Sequence, residues 1–223
     1  MRHARLTAPA EDEVHLWSAS LDVDRRSLVR LSRTLSEAER DRARRFRFVL
    51  DRERFMVARA RLRRLLAGYL GTEPAVIELL ADRAGKLRLS TQSHPGLTFN
   101  VSHSRDLAVY AVGCNGEVGV DVEFVRDDVP MEAIAQRYLS AEARAVVAAL
   151  APSERLEALF GYWTRHEAGL KVSGAGLSGA ARTDGAPPAV HMFHAREGFA
   201  AAVATEAEVR VPASAAMLES EGG

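Results

Sequence analysis

The chain has 223 residues, 30 basic and 30 acidic side chains, 47% hydrophobic residues and one cysteine, Cys114. That size fits one large domain or two small ones around a real core, and the even charge creates no overall field for nucleic acid or an anionic membrane. A lone cysteine forms no internal disulfide, the opening MRHARLTAPAEDE lacks an apolar signal core, and the longest apolar runs, such as 145–151, fall far short of the ~20 residues that span a bilayer. The chain therefore reads as a soluble cytoplasmic protein.

Residues 14–17 predict a short strand and 24–31 a helix. Ser36-Glu37-Ala38-Glu39 has the capping-box pattern, with Leu35 placed as a staple. The Arg-rich helix it opens is expected to break near Phe48 and to stop at Gly71, a C′ glycine. Strands follow at 77–79 and 87–89 around the turn Asp82 to Gly85, then at 99–102, 107–114 and 118–125. Asn115-Gly116, between the last two, is a hairpin signal. Helices are predicted at 131–139, 140–150 with Ser140 as cap, and 153–172. A glycine-rich loop spans 174–185, strands close the chain at 189–194 and 199–205, and the small polar residues from 212 onward read as a frayed tail. Helices and strands recur in the same order twice, which predicts α+β architecture in two similar halves meeting near residue 118.

Three segments offer chemistry. In Gly119-Val120-Asp121-Val122-Glu123, strand alternation puts both carboxylates on one face. That face is either simply solvated or a site for a hard divalent cation. On the helix at 153–172, Leu156, Phe160, Trp163, Glu167 and Leu170 form one stripe, apolar except for Glu167. Glu167 either pairs with Lys171 at i+4 or supplies a third carboxylate to the same cation. In Phe99-Asn100-Val101-Ser102-His103-Ser104 the polar groups at a strand end either close a turn or bind phosphate. Of the 30 basic residues 28 are Arg, and the two lysines are Lys86, after Gly85 in a turn, and Lys171, just before Gly174 and Gly176. Arg40, Arg42, Arg44, Arg45 and Arg47 are interleaved with acids, so a solvated helix face fits better than a nucleic-acid patch.

Taken together, FNVSHS at 99–104, GVDVE at 119–123 and WTRHEAGLK with GAGL at 163–177 resemble the 4′-phosphopantetheinyl transferase superfamily, of the surfactin-synthetase-activating type. RRFRFVLDRERF at 44–55 and AGK at 84–86 are weaker matches, and the likeness runs from about 14 to 205. The resemblance implies a pseudo-dimer of two α+β halves, each a small antiparallel sheet with packed helices, at 1–118 and 119–211, with 212–223 as a disordered tail. It implies a monomeric, Mg²⁺-dependent enzyme that moves phosphopantetheine from coenzyme A to a serine of an apo acyl or peptidyl carrier protein and releases 3′,5′-ADP. Such carriers serve fatty-acid, polyketide or nonribosomal peptide synthesis.

Carried over by position, Asp121, Glu123 and Glu167 match metal ligands. Glu167, Asp121 and Lys171 match catalytic residues. Arg42, Gly85, Lys86, Asn100, Ser102, His103 and Lys171 match the coenzyme A contacts. The chain departs from the pattern at His166, where Lys is usual, at Gly169 and Leu87, and at Glu39, where some relatives place a phosphate-binding Lys. The rival reading is a non-catalytic coenzyme A or carrier-protein binding module of the same fold.

Overall fold

The computed structural model describes residues 5–82, 85–90, 96–173 and 187–218. The glycine-rich stretch at 174–185, with its GAGL motif, and Arg83 and Ala84 of the predicted turn lie outside the described residues.

The first half opens with strand β1, His15–Ser20. Helix α1, Arg25–Ser32, starts where the Asp24 carboxylate accepts the Ser27 N–H at 2.9 Å. Helix α2, Glu37–Arg44, carries the full capping box of Ser36 and Glu39. The chain breaks at Phe48 as expected, and α3, Val49–Leu70, runs 22 residues to Gly71 at φ 63, a left-handed stop that glycine takes without a Cβ clash. A small hairpin, β2 (Leu79–Ala81) and β3 (Leu87–Leu89), leads to the long strands β4, Leu97–Ser104, and β5, Leu107–Cys114. The second half holds β6, Val118–Phe124, then α4, Met131–Tyr138, α5, Ala141–Ala149, and α6, Pro152–Ser173. It closes with β7, Ala189–Met192, and β8, Phe199–Thr205.

Two antiparallel arrangements result, β4-β5-β1 and β7-β8-β6. In each, the first strand of the half pairs with its last, and a 22-residue helix covers the sheet, α3 in one and α6 in the other. The α+β pseudo-dimer is therefore visible in the topology. Tyr110 and Val112 of β5 pack with Val57, Leu62 and Leu66 of α3. The opposite face of that sheet, Leu16, Val109 and Ala111, packs on Val118, Val120, Val122 and Val203 of the second sheet. Beyond it, Ala168 and Val172 of α6 meet Ala202 and Ala204 of β8. The order is helices, sheet, sheet, helices, which buries β5 on both faces and explains its nearly unbroken apolar run.

Three expectations need correction. Asn115-Gly116 does not close a hairpin, because β5 and β6 belong to different sheets. Asn115 alone takes a positive φ, 57°, whereas a type I′ hairpin needs two such residues in succession. The tail is ordered as far as it is described. Strand β9, Ala216–Met217, pairs in parallel with Trp17 and Ser18 of β1, and the Leu218 N–H donates to the Ser18 carbonyl at 2.7 Å. The first sheet is thereby completed by residues from the end of the chain.

The third correction concerns α6. Its most buried line is Phe160, Thr164, Ala168 and Val172 rather than the stripe that includes Trp163 and Glu167. The cause is a close crossing over β6: a Cβ on Gly119 would overlap the Ala168 carbonyl oxygen and stand 2.9 Å from the Val172 nitrogen. Only small side chains fit there, and Glu167 is left at the margin of the contact.

Candidate active site

Strand β6 is an edge of its sheet, and an exposed edge leaves backbone groups unpaired. Here they are met by side chains. Alternate residues of β4 reach across: Thr98 Oγ1 donates to the Gly116 carbonyl at 2.6 Å, Asn100 Oδ1 accepts the Val120 N–H at 2.9 Å, and Ser104 Oγ accepts the Phe124 N–H at 3.1 Å. Both lysines of the chain end on the same edge. Lys86 Nζ donates to the Val118 carbonyl at 3.0 Å and Lys171 Nζ to the Val120 carbonyl at 2.9 Å. The period of two in β4 that sets these residues on one face is the same alternation that places Asp121 and Glu123 together on β6.

This seam carries the candidate chemistry. Ser102 Oγ donates to Asp121 Oδ1 at 2.8 Å, and Lys171 Nζ donates to the same oxygen at 2.7 Å and to Ser102 Oγ at 3.0 Å. Ser104 Oγ donates to Glu123 Oε2 at 2.8 Å. Lys171 thus pairs with Asp121 rather than with Glu167 one turn before it. Asp121 Oδ2 and Glu167 Oε1 are buried and have no hydrogen-bond partner. Burial pushes the Glu167 carboxyl above its ordinary value, and the Asp121 and Glu123 charges add to the rise against the pull of Lys171. Glu123 is raised as well, by burial first and by Asp121 next, against the Ser104 hydrogen bond.

The three carboxylates therefore lie close enough to perturb one another. They do not converge on a point: among the described residues no three His, Cys, Asp or Glu side chains form a group able to hold a metal ion. Two of the three are drawn to protein donors, Asp121 to Lys171 and Ser102, Glu123 to Ser104. The unpartnered oxygens of Asp121 and Glu167 are hard donors of the kind a divalent cation such as Mg²⁺ prefers, so the residues present fit one.

The remaining sequence-selected residues divide. His103 and Ser102 line a pocket of about 220 Å³ together with Arg42, so adjacent strand residues serve both the pocket and the carboxylates. Asn100 is buried, and its amide oxygen serves the β6 edge. Lys86 lies apart from the carboxylates. Its ammonium donates to Glu117 at 2.7 Å and to the Lys171 carbonyl at 2.6 Å, pinning the β2–β3 hairpin to the second half. Gly85, at φ 85, shapes the turn that delivers it. His166 stacks near Tyr138 and Trp163, with ring centroids 5.7 and 6.0 Å away, and burial lowers its pKa. Glu39 does not face a ligand; its Oε2 accepts from Arg63 Nε at 2.7 Å and from the Ser36 N–H at 2.8 Å. Reading residue by residue missed Arg59, which lines the same pocket as Arg42, because one more arginine in an Arg-rich helix gives no signal.

Comparison with known proteins agrees with this layout. Residues 117–197 match the model of the 4′-phosphopantetheinyl transferase superfamily, and residues 17–115 match that of the 4′-phosphopantetheinyl transferase N-terminal domain. The chain is 38% identical over 168 residues to the 4′-phosphopantetheinyl transferase HetI of Nostoc sp., covering 75% of this chain and 71% of that protein. It is 30% identical to the 4′-phosphopantetheinyl transferase psf-1 of Bacillus pumilus, over 69% of this chain and 64% of that protein, and 31% identical to a phosphopantetheinyl transferase of Thraustochytrium sp., over 66% and 55%. The two matched regions part between β5 and β6, where the chain leaves one sheet for the other. The chain belongs to the 4′-phosphopantetheinyl transferase superfamily.

Proposed function

We propose that this protein transfers the 4′-phosphopantetheine group of coenzyme A to a serine hydroxyl of an apo acyl or peptidyl carrier protein, releasing 3′,5′-ADP. The observation that carries this reading is the pair of buried, unpartnered carboxylate oxygens on Asp121 and Glu167, beside an ammonium and a serine at the seam of the two halves. The serine oxygen bonds to the pantetheine-bearing phosphorus, and the bond from that phosphorus to the bridging oxygen breaks, so the electron pair leaves with 3′,5′-ADP. Glu167, whose raised pKa suits proton uptake, accepts the serine proton on the carboxylate oxygen not turned to the cation. In this reading Lys171 and His103 offset charge on the leaving nucleotide. Asp121, Glu123 and Glu167 would hold a Mg²⁺ ion, which when bound supplies neutralising charge for the pyrophosphate.

Among the described residues no helix is long and apolar enough to cross a membrane. The test is the intact mass of an apo carrier protein after incubation with this protein, coenzyme A and Mg²⁺. A gain of one phosphopantetheine that EDTA abolishes is the expected outcome. No gain on fatty-acid, polyketide or peptide carriers, with coenzyme A still bound by calorimetry, would replace the transferase with a binding module.

A further inference from the structure

The turn from α2 to α3, residues 45–48, holds two phenylalanines that go opposite ways. Phe46 lies against Phe55 of α3, with ring centroids 5.2 Å apart. Phe48 turns out: it is 61% exposed, and the next two residues, Val49 and Leu50, are 56% and 51% exposed. Three successive large apolar side chains left in water mark a surface made for contact. The same corner has an open helix end. Phe48 is the N-cap of α3, and no side chain caps the first turn of that 22-residue helix. The surrounding charge is positive. Arg44 is paired with Asp41, but Arg42, Arg45 and Arg47 are exposed, and among the described residues none of the three has an ion partner. The Arg47 guanidinium lies 5.4 Å from the centre of the Phe48 ring, so charge and apolar surface share one spot.

We propose that this corner is where the carrier protein docks, through a face of the carrier that combines carboxylates with apolar side chains. This rests on the transferase reading. Apolar residues of the carrier cover Phe48, Val49 and Leu50, its carboxylates meet Arg45 and Arg47, and the open first turn of α3 takes an acidic group. The corner is continuous with the candidate site. Arg42 lines a groove here with Arg45 and Phe46, and it also lines the pocket of His103 and Ser102, the serine that holds Asp121. Size separates a carrier from a second copy of the chain. A lasting dimer buries roughly 800 Å² on each partner, far more than three side chains offer, whereas a carrier must leave after each transfer and a small contact suits it. A nucleic acid would meet the arginines and leave the apolar residues uncovered.

The test is steady-state transfer to an apo carrier, read by intact mass, with carrier and coenzyme A varied separately. Phe48→Ser removes the ring and gives α3 a serine N-cap, so its Tm is expected at or above that of the wild type. Its KM for the carrier is expected to rise at least about tenfold, with kcat and the KM for coenzyme A unchanged. Arg47→Glu raises the carrier KM as well and weakens its dependence on salt. Should Phe48→Ser fail to fold, Leu50→Gln repeats the measurement. Folded variants with the wild-type carrier KM overturn the docking surface and leave the transferase standing. So does a rise confined to the KM for coenzyme A, or a wild-type dimer in sedimentation that Phe48→Ser dissolves. A wild type that binds the carrier in calorimetry, loses it in Phe48→Ser and modifies none refutes the transferase reading and leaves the docking surface standing. Neither binding nor modification of any carrier overturns both.

Discussion

The two halves share a frame and differ in charge. Each has a first strand paired to its last and three α-helices, of which one, 22 residues long, covers the sheet. In the first half Arg42 and Arg59 line the pocket under α2 and α3; in the second Asp121 and Glu123 lie on the face of β6 away from Val120 and Val122, near Glu167 of α6. Strand β1, His-Leu-Trp-Ser-Ala-Ser, carries no acid where β6 carries two. Repeating a fold thus supplied two similar frames, and the side chains gave one a basic wall and the other an acidic wall.

The comparison breaks most sharply at the acidic wall. Asp121→Ala or Glu167→Ala is expected to reduce carrier modification by about 10³-fold in a mass-based rate assay. Unchanged turnover at saturating Mg²⁺ would move the chemistry elsewhere. The tie between the halves comes next. Lys86 is 7% exposed with three acceptors, so Lys86→Met, which leaves Glu117 to Arg88 alone and two carbonyls without their donor, should cost about 3 kcal/mol, a Tm fall of roughly 6–12 °C. Gly119→Ala pushes α6 off β6 and should cost about 1–3 kcal/mol in denaturant unfolding, with a loss of activity because Asp121 is two residues away. Truncation after residue 211 removes β9 from β1, which is expected to lower the Tm by about 2–4 °C and leave turnover in place.

The smallest effect is one of pH. Glu123 and Glu167 hold their protons more tightly folded than unfolded, so their contribution to stability is full below their ordinary 4.5 and is lost as pH rises through their raised values. Thermal melts of the wild type against Glu123→Gln/Glu167→Gln, from pH 4 to 8, should show the difference moving in the variant's favour as pH rises. Mg²⁺ should reverse it. A difference that is flat with pH would mean that burial does not raise the two carboxyls.

Local chemistry made much of this legible in advance. The Ser36 capping box, the Gly71 stop and the break at Phe48 follow from backbone needs that neighbouring residues satisfy, and each appears where the residues put it. The pairing of Asp121 with Glu123 followed from the two-residue period of a strand. What stayed hidden depended on contacts distant in sequence. Nothing near Asn115 tells that β6 leaves the sheet of β5, and nothing near Ala216 tells that β1 has an open side 200 residues earlier. The buried line on α6 was displaced by one residue because Gly119, 49 positions away, lets the helix come close. Lys86 was read as a ligand contact by resemblance, and its three acceptors belong to segments that only the fold brings near.

The seam between β4 and β6 has a consequence for motion. A ladder of backbone bonds holds whatever side chains it bears, but the N–H groups of Val120 and Phe124 depend on an amide and a hydroxyl from another half of the molecule. Their protection from hydrogen exchange is therefore set by how often the halves part, while the N–H groups of Asp121 and Glu123, which alternate onto β8, answer to the unfolding of one sheet. Two sets of amides on a single strand thus report separately on the parting of the halves and the melting of the second sheet.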